Sequence, residues 1–415
     1  MTTRILLLVA LLEVSLGAAW GASPYTAPVV SVPTGSKAPL IDGTVEAGEW
    51  ARAAVLSDFV CVGADHMPTL RTTVYLEYDA VNFYLAAICT DPDSSALKSA
   101  ADKRDGPVLQ DDCLELVVDT VGQRSDAAHL AVSAGNVQYD AWNADASQDF
   151  KWTSATTRGP DGWSVEIALP FARGIGPAVG DSWLINIGRH APGASEDSAW
   201  APPLKSMAEL DRLGPLIFSG PPFRVVQRRL GDLWLGQNLA QMEVSTWKPG
   251  DAAAPAKLNA RVDSGGRTDV VMEKIAVGAQ PSTIGLSYRV PSDGLSTVTL
   301  ALTIAGPQGK AIVAWRSASY PISAPPVVSA LQALEKTLSD ALVTSAGLPE
   351  GAQRDTLQES LQEVLTAWQA LAGAVAGRPG LSRDEYANLL PQVQMLTMTA
   401  QALLNDAVGG ASPPE

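Results

Sequence analysis

Residues Gln110–Asp119 read QDDCLELVVD. Leu114, Leu116 and Val118 alternate with Glu115, Val117 and Asp119, a period of two that describes a β-strand with one face on a core. Asp111 and Asp112 stand at its head, which places carboxylates on a sheet rim, where loops converge and ligands are usually held. The same grammar recurs on either side. Arg71–Tyr78 alternates, turns through Asp79–Asn82 and returns along Phe83–Ile88 towards Asp91-Pro92-Asp93. Downstream, Ala128–Val132 pairs with Asn136–Ala141, and Phe150–Thr157 with Gly162–Leu169 across Gly159-Pro160-Asp161-Gly162. Ser182–Arg189 and Leu213–Phe218 complete the set. Short strands with turns at regular spacing predict a β-sandwich over residues 37–219.

The chain has 415 residues, enough for two or three domains. Hydrophobic residues make up 46% and charged residues 18%, which is the composition of a globular protein with an ample core. The net charge is −15, from 29 basic and 44 acidic residues, and this argues against nucleic acid or an anionic membrane surface as partner. Residues 1–22 read as a cleaved signal peptide, with Arg4, the apolar run Ile5–Leu12 and the small-x-small site Ala19-Trp20-Gly21. No other stretch is long and apolar enough to span a bilayer, so a secreted, periplasmic or cell-surface location is expected. Cys61, Cys89 and Cys113 are read as buried free thiols, with their pairing left open.

Ser23–Ala38, rich in Pro, Ser, Thr and Val, reads as a leader that could add one strand. Beyond the seam Gly220-Pro221-Pro222, seven short alternating segments between 223 and 324 fit an immunoglobulin-like sandwich, with Trp315 in its core. After Ala324-Pro325-Pro326 the period changes to 3.6. Leu331, Leu334, Leu338 and Leu342 open a first helix, Leu357, Leu361, Trp368 and Leu371 mark a second, and Leu389, Val393, Leu396 and Ala400 a third. A three-helix bundle is therefore expected over 326–408, with its own core and a surface open to a protein partner, before a disordered tail, 409–415. The fold class is thus mainly β, with a helical C-terminus.

Several motifs of the first sandwich stand in a familiar order. They are Ile41-Asp42-Gly43 with Glu49-Trp50, Asp91-Pro92-Asp93, Asp112-x-x-Glu115, Gly162-Trp163-x-x-Glu166 with Pro170-Phe171, Asn186-x-x-Arg189, and Trp200 before Leu213-Gly214-x-Leu216. In this order the segment resembles family 9 carbohydrate-binding modules, of the wider DOMON-like superfamily. The resemblance implies an exported β-sandwich that binds glycan chain ends between two tryptophans, with structural calcium nearby. It also implies where that clamp should lie, and there this chain departs: Pro107-Val108-Leu109 and Ala201–Arg212 carry no tryptophan, and His129-Leu130-Ala131-Val132 lacks the expected basic residue.

A relocated sugar site needs a flat aromatic face at a rim and polar partners for the hydroxyls. Trp142, flanked by Asp140, Asn143 and Asp145, and Trp152 are the candidates, with Arg189 from the strand motif. Asp91, Asp93, Asp111 and Asp112 are candidate oxygen ligands for Ca²⁺. His66 and Met67 are haem-ligand types, as in haem-binding DOMON-like relatives, but adjacent side chains on an extended loop point apart, and haem is not expected. No nucleophile elbow, zinc-binding helix or phosphate loop is present, so the sequence reads as non-catalytic. The function expected is binding of a polysaccharide or glycoconjugate. The alternative is a structural subunit of an envelope or surface assembly whose sandwich has lost sugar binding, and a haem-binding DOMON-like redox subunit ranks third.

Overall fold

Period two decides which side of each strand faces inward, and the inward sides of two sheets meet in one core. The computed structural model describes residues 25–57, 59–62, 68–203, 205–219, 223–231, 236–246, 254–264, 266–291, 296–305, 311–322, 326–376 and 383–410. The expected signal peptide and the His66-Met67 pair lie outside the described residues. The strands are β1 (Val29–Pro33), β2 (Ala54–Leu56), β3 (Val60–Cys61), β4 (Thr72–Tyr78), β5 (Asn82–Thr90), β6 (Cys113–Asp119), β7 (Ala128–Ser133), β8 (Gln138–Trp142), β9 (Thr153–Gly159), β10 (Gly162–Pro170), β11 (Ser182–Ala191), β12 (Glu196–Ala199) and β13 (Gly214–Ser219). The second set is β14 (Phe223–Arg229), β15 (Gly236–Thr246), β16 (Ala254–Ser264), β17 (Arg267–Val277), β18 (Ser282–Val290), β19 (Ser296–Ala305), β20 (Ala311–Arg316) and β21 (Tyr320–Ile322). Three helices follow: α1 (Pro326–Ala346), α2 (Ala352–Ala376) and α3 (Arg383–Gly410).

The strands form two sheets that run through both halves of the chain. One has the order β17-β16-β19-β20-β1-β13-β11-β6-β7-β8, with β12, β3 and β21 branching from it; the other runs β18-β15-β14-β2-β4-β5-β10-β9. The segment between residues 223 and 322 therefore has its own pair of β-layers, but each layer continues one from the first half. Two joints make the continuity. Strand β1 lies parallel to β13 and antiparallel to β20, with Val32 opposite Phe218 and Val30 opposite Trp315. Strand β14 lies parallel to β2 through Val226 and Val55. The boundary expected at residue 37 is corrected accordingly: the leader supplies the strand on which both halves meet, because Val30 stands between Leu216 of β13 and Trp315 of β20. One cluster of buried residues runs from Val30 through Leu116 and Phe218 to Trp315 and Tyr288.

Leu114, Leu116 and Val118 of β6 face this core as expected, while Cys113 and Val117 are buried on the opposite side under Val108 and Leu213. Glu166 explains two of the sequence motifs at once. Its carboxylate accepts the Nε1–H of Trp50 at 2.9 Å and the backbone N–H groups of Asp42 and Gly43 at 3.0 and 2.9 Å. Gly43 (φ +88°) lies on the Thr156 backbone, and Gly162 (φ +129°) on Cys89 O, where a Cβ would stand 2.1 Å away. All three cysteines are buried and none is in a disulfide.

The helices pack on one another around Leu334, Leu338, Leu361 and Val393, a core separate from that of the sandwiches. Trp368 of α2 donates its indole N–H to Leu331 O of α1 at 3.0 Å. α3 extends to Gly410, two residues past the expected end of the bundle. Among the described residues no helix is long and apolar enough to cross a membrane.

Because β1 joins both halves, the two sandwiches should unfold in one calorimetric transition. Val32→Asp, which buries an unpaired charge at a fully buried site, is expected to destabilise that whole transition by about 3 kcal/mol or more. A shift confined to one of two separable transitions would contradict this.

Candidate functional site

Where β6, β8 and β10 end and β7 and β11 begin, the two sheets open into a cavity of about 680 Å³. Its interior is lined by Val118, Leu130 and Leu169 and by four aromatic rings, those of Trp142, Phe150, Phe171 and Trp183. Phe171, Trp183 and Phe218 stack edge to face with ring centroids 5.0–5.9 Å apart, which makes a rigid floor. Trp142 leans over Phe150 at 6.4 Å and remains 37% exposed. The polar groups of the lining are Thr120, Lys151, Asp181 and Ser182, all exposed at the rim.

Of the expected sugar-binding residues, Trp142 alone lines this cavity. Trp152 is corrected to a core residue: it is 8% exposed and sits in the sandwich interior, because β9 begins immediately after it and turns it inward. Asp140 is fully buried and pairs with the Arg104 guanidinium; its Oδ2 accepts the Phe150 N–H at 2.5 Å. Asn143, in a left-handed conformation (φ 49°), is held by Asp126 and by the Ala127 N–H, which donates to its Oδ1 at 2.9 Å. Asp145 accepts the Ser147 N–H at 3.0 Å and closes a turn on Trp142. These polar residues shape the loop that presents Trp142. Arg189 is also corrected. It is 1% exposed and donates to Thr90 O at 2.9 Å and Arg71 O at 3.3 Å, so it pins the first sheet to the second and is closed to a ligand.

The expected calcium ligands each have protein contacts, and among the described residues no three of their carboxylates converge on one point. Asp91 faces Arg189 at 3.5 Å, Asp111 and Asp112 accept the backbone N–H groups of Ala101 and Lys98, each at 2.8 Å, and Asp93 accepts the Ser95 hydroxyl. Among the described residues three other carboxylates converge, those of Asp105, Asp140 and Asp149. The Arg104 guanidinium stands among them, 3.2 Å from Asp149 and 3.9 Å from Asp105, and meets their charge with its own. The cluster braces the Trp142–Phe150 loop from below.

The face on which the resemblance would place the sugar clamp is built differently. Val108 is fully buried there, and Met207 lies on Gly188, its Sδ 2.6 Å from where a Cβ would stand. Beneath them Glu115 joins two histidines: His129 Nε2 lies 2.6 Å from Oε1 and His190 Nε2 lies 2.5 Å from Oε2, while His190 Nδ1 reaches Asp197 at 2.9 Å. Burial opposes the charge of Glu115, but the two histidine hydrogen bonds outweigh it and hold the carboxyl down to about 2. Burial likewise disfavours charged His190, and its bonds to Asp197 and Glu115 prevail and raise it to about 9. This cluster was not nominated from the sequence; its signal was two histidines on the strands that flank the Asp-x-x-Glu strand. The cavity floor was missed because Phe171 and Trp183 read as ordinary strand residues, although Ile175 and Val179 in the following loop were apolar without a strand period.

No family model and no curated protein matches the chain. Among solved structures it is similar to a family 9 carbohydrate-binding module from Caldicellulosiruptor kristjanssonii in complex with cellotriose, at 20% identity over 46% of this chain and 94% of that one, with a TM-score of 0.37. A family 9 carbohydrate-binding module from the same organism in complex with glucose is similar at 18% identity over 46% of this chain and 96% of that one, with a TM-score of 0.36.

Two outcomes test the site's construction. Arg104→Ala leaves Asp140 buried without its partner and is expected to cost about 3 kcal/mol and to red-shift tryptophan emission as the Trp142 loop loosens. For His190, whose pKa is raised on folding, the stabilisation is fully present below pH 6.5 and is lost as pH rises through about 9. The stability gap between wild type and His190→Gln, on the order of 2 kcal/mol, should therefore be widest below pH 6.5 and close above pH 9 in pH-resolved thermal melts.

Proposed function

We propose that this chain is an exported, non-catalytic protein that binds a polysaccharide or glycoconjugate, with Trp142 as its stacking platform. The observation that carries the reading is the 37% exposed indole of Trp142 at the cavity mouth, held over Phe150 on a loop whose polar groups are already satisfied. A pyranose face stacks on such a ring, and Thr120, Lys151 and Ser182 at the rim offer partners for its hydroxyls. The platform is displaced from the position the family-9 resemblance implies, where Val108 and Met207 now fill the space. A non-catalytic role is supported by the cavity lining: glycoside hydrolysis uses two facing carboxylates, and Asp181 is the one carboxylate among the described lining residues, with Oδ2 accepting the Ala178 N–H at 2.8 Å. Export is supported by the sequence of residues 1–22.

A structural, assembly-forming role is the second reading. It is favoured by β17, an eleven-residue edge strand that exposes Val270, Val271 and Met272.

Titration of the full chain with a panel of soluble polysaccharides, followed by tryptophan fluorescence, tests the first reading. A saturable shift is expected for at least one glycan, with affinity reduced at least tenfold in Trp142→Ala, in line with the weight of a stacked ring. A flat response across the panel would count against it and favour assembly.

A further inference from the structure

The cavity is more apolar than a stacked sugar requires. A pyranose uses one aromatic face and a ring of hydroxyl partners, whereas the interior here is walled by Val118, Leu130, Leu169, Phe171 and Trp183, drawn from both sheets. Every polar lining residue sits at the rim. The volume of about 680 Å³ lies within the range of sites that enclose small molecules, roughly 300–1,000 Å³.

The surroundings of the mouth point the same way. Ile175, itself part of the lining, is 72% exposed, Val121 beside Thr120 is 69% exposed, and Val179 between Pro177 and Asp181 is 67% exposed. Val81, whose carbonyl accepts the Phe171 N–H at 2.9 Å, is 55% exposed. Exposed apolar side chains gathered around an apolar opening mark a surface that meets an apolar ligand. The rim also carries a charge for a head group. Lys151 is the one cation among the described lining residues, and the carboxylate of Asp181, also in the lining, accepts the Ala178 N–H of its own turn.

We propose that the cavity binds a single-chain amphiphile with an anionic head, of the fatty-acid class: the hydrocarbon chain enters between the two sheets over the Phe171–Trp183 floor, and the carboxylate pairs with Lys151 at the rim. The chain gains its affinity by leaving water for a wall without hydrogen-bonding demands. The cation selects an anionic head over a neutral one. This goes beyond sugar stacking on the outer face of Trp142 and does not rest on it.

The test is calorimetric titration of the full chain with dodecanoate and with dodecanol, both below the concentrations at which they aggregate, with native mass spectrometry for stoichiometry. One dodecanoate per chain is expected, bound more tightly than dodecanol. Ala128→Phe, which puts a ring into the cavity beside Trp142 on the neighbouring strand, should weaken dodecanoate at least tenfold. Lys151→Glu, a surface change that leaves the fold alone, should weaken dodecanoate several-fold and leave dodecanol unchanged. Absence of saturable binding to wild type overturns the proposal. So does binding that ignores both substitutions, or adsorption to phosphatidylcholine vesicles without uptake of monomeric dodecanoate. Dodecanoate has no ring hydroxyls and the glycan panel has no alkyl chain, so failure of one reading is distinct from failure of the other.

Discussion

Strand β1 has both of its edges paired, one in parallel to β13 and the other antiparallel to β20, and the continuity of the larger sheet passes through those two ladders. Parallel pairing is possible here because the chain returns to β1 only after some 180 residues, long enough for any crossover. The apolar side chain of Val30 then has neighbours in both halves, Leu216 and Trp315, and the core does not divide at the Pro-rich seam. A strand that reads as a leader is thereby the common wall of two sandwiches. The helical bundle stands apart, with a core of its own.

Two guanidinium groups brace the first sandwich. Near the cavity Arg104 meets Asp105, Asp140 and Asp149, and at the far end of β11 Arg189 ties that strand to the carbonyls of Arg71 and Thr90 across the sandwich. The planar fork suits both tasks, since it reaches several acceptors in fixed directions. Arg104 thereby holds the loop on which Trp142 stays open to solvent. The Glu115–His129–His190 group does the same work on the opposite face of the sheet, where Val108 and Met207 close what would otherwise be an open platform.

Much of the architecture was legible in the residues. Strands β4 to β11 and β13, the alternation of β6 and the three helical stripes follow from local periodicity, and Gly43 and Gly162 sit where close backbone approach demands no Cβ. The motif Gly162-Trp163-x-x-Glu166 was visible, but its purpose, a carboxylate that holds the Asp42-Gly43 turn and the Trp50 indole, was not. The candidate site was legible only at Trp142. Asp140 and Arg189 look like free polar groups in a polar stretch, and nothing nearby in sequence announces the partners that occupy them.

The sequence by itself determined which segments are strands or helices and which side of each is apolar. These properties follow from residues two to four apart, whose side chains are placed by the backbone they share. Only the tertiary structure decided that the sheets run unbroken through both halves, that Trp152 turns inward while Trp142 does not, and that Phe150, Phe171 and Trp183 meet around one cavity. Those outcomes depend on contacts between residues tens to hundreds of positions apart, fixed by how the two sheets close on each other.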